Sequence, residues 1–253
     1  MKTKFLCSAL VMLAGSLLAD TTPGDAITNA VNALAAQPGY SWKTTVVVPD
    51  DSPFHPGPTT GKIEKDGYTD VSLSMRDNTI EFITKADKTA VNTPDNGWQS
   101  TADLGADEGP GRFMAGMIRT FKAPTAQAAS LAASAQELKL VDDAYTSDLT
   151  EAGAKTLLTF RPRGGGGGGG TPDISNAKGS VKFWIKDGAL VKYEFKVSGK
   201  VSFNGNDRDV DRDTTVEITD VGSTKVTVPD DAKKILSPKP AAADAPAADS
   251  MGK

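Results

Sequence analysis

From Val191 to Phe203 the chain alternates with a period of two. Val191, Tyr193, Phe195, Val197, Val201 and Phe203 keep one parity, with Gly199 between them, and Lys192, Glu194, Lys196 and Ser198 keep the other. Successive side chains of an extended strand point to opposite faces, so this stretch reads as a strand with one apolar and one charged face. Asn204-Gly205-Asn206 turns the chain, and Thr214, Val216 and Ile218 repeat the pattern on the returning strand. A sheet made of such strands has one face to bury, and it must curl around something or be covered by helices.

The same period recurs earlier. Trp42, Thr44, Val46 and Val48 alternate with Lys43, Thr45 and Val47 as far as Pro49, and Pro53, Pro56 and Pro58 mark the loop that follows. Short strands are predicted over Lys62–Lys65, Thr69–Met75, Thr79–Thr84 and Thr89–Asn92, with turns at Asp66-Gly67, Asp77-Asn78 and Asp87-Lys88. Asn96-Gly97 before Trp98 predicts one more hairpin, and further strands are predicted over Asp142–Leu149 and Lys155–Phe160.

Three helices interrupt the pattern. Asp25 can cap a helix running to Ala36, with Ile27, Val31 and Leu34 on one face and Pro38-Gly39 ending it. Pro110 can open a second helix, in which Phe113, Met114, Met117, Ile118 and Phe121 form an apolar stripe. Thr125 can cap a third, rich in alanine, ending near Leu138. Gly164 to Gly170 are seven consecutive glycines, a composition no packed element uses, so a flexible excursion between two strands is expected there. The expected fold class is α+β: a strongly curved antiparallel sheet, a half-open β-barrel of about ten or eleven strands, with helices covering the concave face. One domain is expected over residues 20–236, followed by a disordered Pro/Ala-rich tail over 237–253.

Residues 1–19 read as an export signal. Lys2 and Lys4 form a basic start, Phe5 to Leu18 carry no charge, and Ala19 offers a small residue for cleavage. Cleavage there removes Cys7 and moves the net charge of −4 two units further negative. An exported chain without cysteine rests on a buried core and not on disulfides. The expected location is therefore periplasmic or extracellular, with no membrane span, and the acidic balance argues against a nucleic-acid partner.

One His and one Cys in 253 residues exclude zinc fingers, His-rich metal cages and Cys–His nucleophile pairs. Asp207, Asp209, Asp211 and Asp213 alternate after a turn, but no glycine stands sixth from any of them as a calcium loop requires, and Arg208 and Arg212 can neutralise them. They read as a charged strand edge that discourages edge-to-edge pairing. His55 lies among prolines without a Gly-x-Ser-x-Gly elbow anywhere in the chain. Asp103, Asp107 and Glu108 read as loop acids, and Thr171-Pro172 after the glycine run is no phosphate loop. No catalytic residue, metal or cofactor is expected.

A leading helix running into Tyr40-Ser41-Trp42, the Asn96-Gly97-Trp98 turn, the Val181-Lys182-Phe183-Trp184-Ile185-Lys186-Asp187-Gly188 hairpin arm and the closing Thr215-Val216-Glu217-Ile218-Thr219-Asp220-Val221-Gly222 with Val226-Thr227-Val228-Pro229 carry a resemblance. Helix, meander, two helices and meander again, in this order, resemble the outer-membrane lipoprotein carrier (LolA-like) superfamily, which includes mycobacterial glycolipid-carrying lipoproteins and sensor domains of envelope-stress regulators. The resemblance implies a half-open barrel with helices across its mouth and acyl chains between. The expected function is an exported, non-enzymatic protein holding a lipid, lipid-linked or other apolar molecule, and the expected cavity wall is Trp42, Phe82, Phe113, Met114, Met117, Ile118, Phe121, Phe183 and Phe195. The alternative is an envelope sensor or scaffold whose concave face receives another protein.

Overall fold

The computed structural model describes residues 22–53, 55–65, 67–75, 78–106, 109–159, 172–203 and 205–237. The expected signal segment, the glycine run and the Pro/Ala tail from Pro238 lie outside these residues, as do Asp107 and Glu108.

Eleven strands form one antiparallel sheet. They are β1 (Gly39–Val47), β2 (Thr59–Glu64), β3 (Thr69–Met75), β4 (Asn78–Lys85), β5 (Lys88–Thr93), β6 (Gly97–Ser100), β7 (Lys139–Val141), β8 (Ala144–Asp148), β9 (Asp173–Lys186), β10 (Ala189–Phe203) and β11 (Asn206–Thr219). Their spatial order is β6-β5-β4-β3-β2-β1-β11-β10-β9-β8-β7. Two meanders thus meet where β1 pairs with β11, Trp42 opposite Ile218 and Thr44 opposite Val216. The sheet is curved and does not close. Consecutive strands join through tight turns wherever the sequence offers them: Asp187 and Gly188, both at positive φ, link β9 to β10 in the geometry that matches strand twist.

Because β6 and β7 lie on opposite edges, the chain between them has to cross the whole sheet. It does so as α2 (Thr101–Ala106), α3 (Pro110–Thr120) and α4 (Pro124–Ser134). This topology is why helices cover the inner face. The leading helix α1 (Pro23–Ala35) packs there too: the Thr22 hydroxyl accepts from the Asp25 N–H, and Ile27, Ala30, Val31 and Leu34 are buried against β9, β10 and α4. At the far end α5 (Glu151–Leu158) lays Ala154 and Leu158 on Val197 and Ala177. On the outer face α6 (Asp230–Leu236) packs Ala232 and Leu236 against Ile83 and Ala90, so β4 and β5 are buried on both sides.

Four local expectations are corrected. Asp25 does not cap α1: the N-cap is Thr22, and Asp25 lies in the first turn. The strand predicted over Lys155–Phe160 is the helix α5, nucleated by the Thr150 hydroxyl accepting from the Gly153 N–H and by a Glu151–Lys155 pair at 2.7 Å, one turn apart. The glycine run therefore follows a helix, not a strand. Thr125 does not cap α4, whose N-cap is Ala123; its hydroxyl lies 3.4 Å from that of Tyr40, and the helix ends at Ser134 because Ala135 bridges to Leu149. The strand predicted over Asp142–Leu149 is present as β8 from Ala144 to Asp148, and it pairs with a short strand before it, β7, across a turn with Asp142 at φ +54°. The turn after β4 sits at Ala86-Asp87, and Lys88 already pairs with Lys85.

Asp70, on the outer face of β3 between Lys62 and Ile83, has its pKa raised to about 6 by burial, with the neighbouring Glu81 adding to the effect and Lys62 opposing it. A carboxyl that binds its proton more tightly when folded adds stability below its unfolded value of 3.8, and that stability is lost as pH rises through about 6. Asp70→Asn is expected to be more stable than the parent at pH 7.5 by about 1 kcal/mol after allowing for solvent screening, with the difference vanishing below pH 4, as read by urea denaturation at several pH values.

Candidate functional site

Along β1 the side chains of Tyr40 and Trp42 turn to the inner face and are almost fully buried. Gly61, the cross-strand partner of Trp42 on β2, lets the indole lie flat over the strand: a Cβ at position 61 would stand 2.1 Å from Trp42 Cζ2. The next row along the same strands is Thr44, Thr59 and Leu73.

Above this floor the α3–α4 junction supplies the roof. Phe121 leaves the helix with φ −57° and ψ 136°, and Pro124 forces the extended backbone of Ala123 before α4 begins. The kink drops the Phe121 ring between two aromatic residues of the sheet: it stacks on Trp42 with centroids 6.3 Å apart and an interplanar angle of 23°, and meets Phe82 edge-on at 5.3 Å. Two buried phenols pin α4 in place. Tyr193 donates to Gln127 Oε1 at 2.7 Å, and Tyr40 lies within reach of Thr125. Burial raises the pKa of both tyrosines, which keeps them neutral as hydrogen-bonding groups.

Between floor and roof is a cleft of about 310 Å³ that the protein's own side chains leave unfilled. Trp42, Leu73, Phe82, Met117, Ile118, Phe121 and Pro124 form its apolar wall; Thr44, Thr59, Thr120, Gln127 and Lys122 supply polar groups. Of the nine wall residues expected from the sequence, Trp42, Phe82, Met117, Ile118 and Phe121 are brought together here. Phe183 and Phe195 are buried in the main core, where Phe183 tilts against Tyr193 at 6.3 Å. Met114 packs partly buried against that core, and Phe113 is half exposed. Leu73, Gln127 and Lys122 escaped the sequence reading. The alternation of β3 and the break at Pro124 carried the signal for the first and last of these, but not their meeting.

The other candidates fall elsewhere. His55 is exposed in its loop. Asp103 is in the first turn of α2, not in a loop, where its carboxylate accepts from Ser100 at 2.6 Å. Of the alternating acids of β11, Asp211 and Asp213 are met by Lys196 and Asp207 by Lys200, not by Arg212, which lies on the opposite face beneath α5 and donates to the Leu157 carbonyl at 3.1 Å. No cluster of three metal-ligating residues occurs among the described residues, and no helix among them is long and apolar enough to cross a membrane.

No family model and no curated protein matches the chain. Among solved structures it is similar to the lipoprotein LppX of Mycobacterium tuberculosis, at 11% identity and a TM-score of 0.43 over 81% of this chain and 97% of that one. It is similar also to LprF from Mycobacterium bovis, at 12% identity and a TM-score of 0.43 over 83% and 97% of the two chains. A DUF1329 family protein from Desulfovibrio piger follows at 10% identity and a TM-score of 0.31 over 79% and 90%.

Proposed function

We propose that this is an exported, non-catalytic binding protein that holds the hydrocarbon part of a lipid or lipid-linked molecule between the inner face of β1–β4 and the α3–α4 junction. The observation that carries the reading is the unfilled cleft of about 310 Å³ against Trp42, Phe82 and Phe121. A concave space of this size with a mostly apolar wall and a few polar groups is the form that small-molecule sites take. Met117 at its edge is unbranched and adapts to varied apolar shapes. The polar groups around it, among the described residues, are three threonines, a glutamine and a lysine, with no carboxylate, imidazole or thiol.

At a share of ~30 Å³ each, this space takes about ten methylenes. Burying them is worth roughly 8 kcal/mol before association costs, which sets a ceiling near micromolar affinity. Native mass spectrometry of the protein purified without detergent from its own source is expected to show one added small mass, and the stripped protein is expected to take up decyl-chain probes. A bare-chain mass together with no uptake of any such probe would overturn the reading.

A further inference from the structure

We infer that the cleft takes a molecule with one hydrocarbon chain and an anionic head, a carboxylate or a phosphate. The inference deepens the binding reading above and rests on it.

The volume sets the chain count. About 310 Å³ matches the volume of one chain of about ten methylenes, at ~30 Å³ each. The charge sets the head. Among the described residues Lys122 is the one charged side chain lining the cleft; its ammonium donates to Ser130 Oγ at 3.0 Å and joins no ion pair there. A cation in the lining with no carboxylate among the described residues beside it favours an anion at the mouth. Lys122 is exposed, and an ammonium on a four-carbon stem can swing from a neutral hydroxyl to a charged oxygen with little cost. Thr44 and Thr59, cross-strand partners one step beyond Trp42, add two hydroxyl donors to the same cleft. Such a head sits on Lys122 while its chain lies along Trp42 and Phe121.

Trp98→Phe with Trp184→Phe leaves Trp42 as the sole tryptophan and therefore a reporter inside the cleft; calorimetry on the unaltered protein gives the same constants independently. The probes are decanoate, decyl phosphate, decanol, decyltrimethylammonium and a didecanoyl phosphatidylglycerol, each below its micelle concentration. Decanoate and decyl phosphate are expected to bind about tenfold more tightly than decanol at low salt, an advantage that shrinks as salt screens the exposed ammonium. The two-chain lipid is expected not to bind. Lys122→Glu is expected to abolish the preference for anions over decanol and turn it toward decyltrimethylammonium. Equal binding of decanol and decanoate, an anion preference that survives Lys122→Glu, or tight binding of the two-chain lipid would each overturn the inference. If decanol and every other probe fail to bind, it is the binding reading itself that fails. Decanoate and decyl phosphate between them tell whether the head is a carboxylate or a phosphate.

Discussion

A Gly61→Val chain is expected to melt about 6–12 °C lower than the parent and to bind no decyl-chain probe. The added Cβ would fall 2.1, 2.3 and 2.6 Å from three atoms of the Trp42 indole, all well inside contact distance. The ring has the β2 backbone below it and Tyr40 at 6.0 Å beside it, so its one way out is toward Phe121 and the cleft. It must tip upward into the cleft, and the space for a ligand goes with it. Overpacking of this kind costs about 3 kcal/mol, which for a chain of this size corresponds to the stated shift in melting midpoint. Trp42→Leu in the Gly61→Val background is the informative second variant: the smaller side chain removes the clash, so stability is expected to recover in part. A thermal melt of Gly61→Val indistinguishable from the parent would mean that the indole is not held against β2.

Phe121→Ala is expected to cost about 3 kcal/mol and to weaken decyl-chain binding at least tenfold, as read by denaturant unfolding and by calorimetry. Truncating a buried phenylalanine typically costs about 3–5 kcal/mol, and Phe121 stands at the low end because it is only partly buried. Its two ring contacts, stacked on Trp42 and edge-on to Phe82, are the means by which the end of α3 grips the sheet. Without them the roof loses its anchor on the β1–β4 side while α4 stays pinned through Tyr193 and Gln127. The damage is therefore expected to be local, with amide hydrogen exchange rising in α3 and not in β9–β11. Uniform loss of protection across the sheet would place Phe121 in the general core and not in a separable roof.

These two residues also show how far the chain could be read without coordinates. The alternation through β1 and β10, the Asp187-Gly188 turn and the faces of α1 are properties of neighbouring residues, so they were legible at once. The helix α5 was not, because its few residues suit a short strand as well as a helix. The choice was made by the Thr150 cap and by a partner far along the chain, since Leu158 fills the space above Gly199 that a side chain there would occupy. The α3 stripe was legible as apolar, but its residues met three fates: Met117, Ile118 and Phe121 line the cleft, Met114 packs on the core, and Phe113 is half exposed.

Periodicity determines which side of a strand or helix is apolar, and turn residues determine where it reverses; both act over a few residues, and the primary structure of this protein settles them alone. Which strands end up at the two edges, and hence that α2, α3 and α4 must travel across the inner face, was decided by the pairing of β1 with β11 across nearly the whole chain. Whether Trp42, Phe82 and Phe121 would close on one another or leave a gap was decided there too. A gap between layers is the difference between the distance their backbones hold and the volume their side chains occupy, and only the assembled layers set that distance.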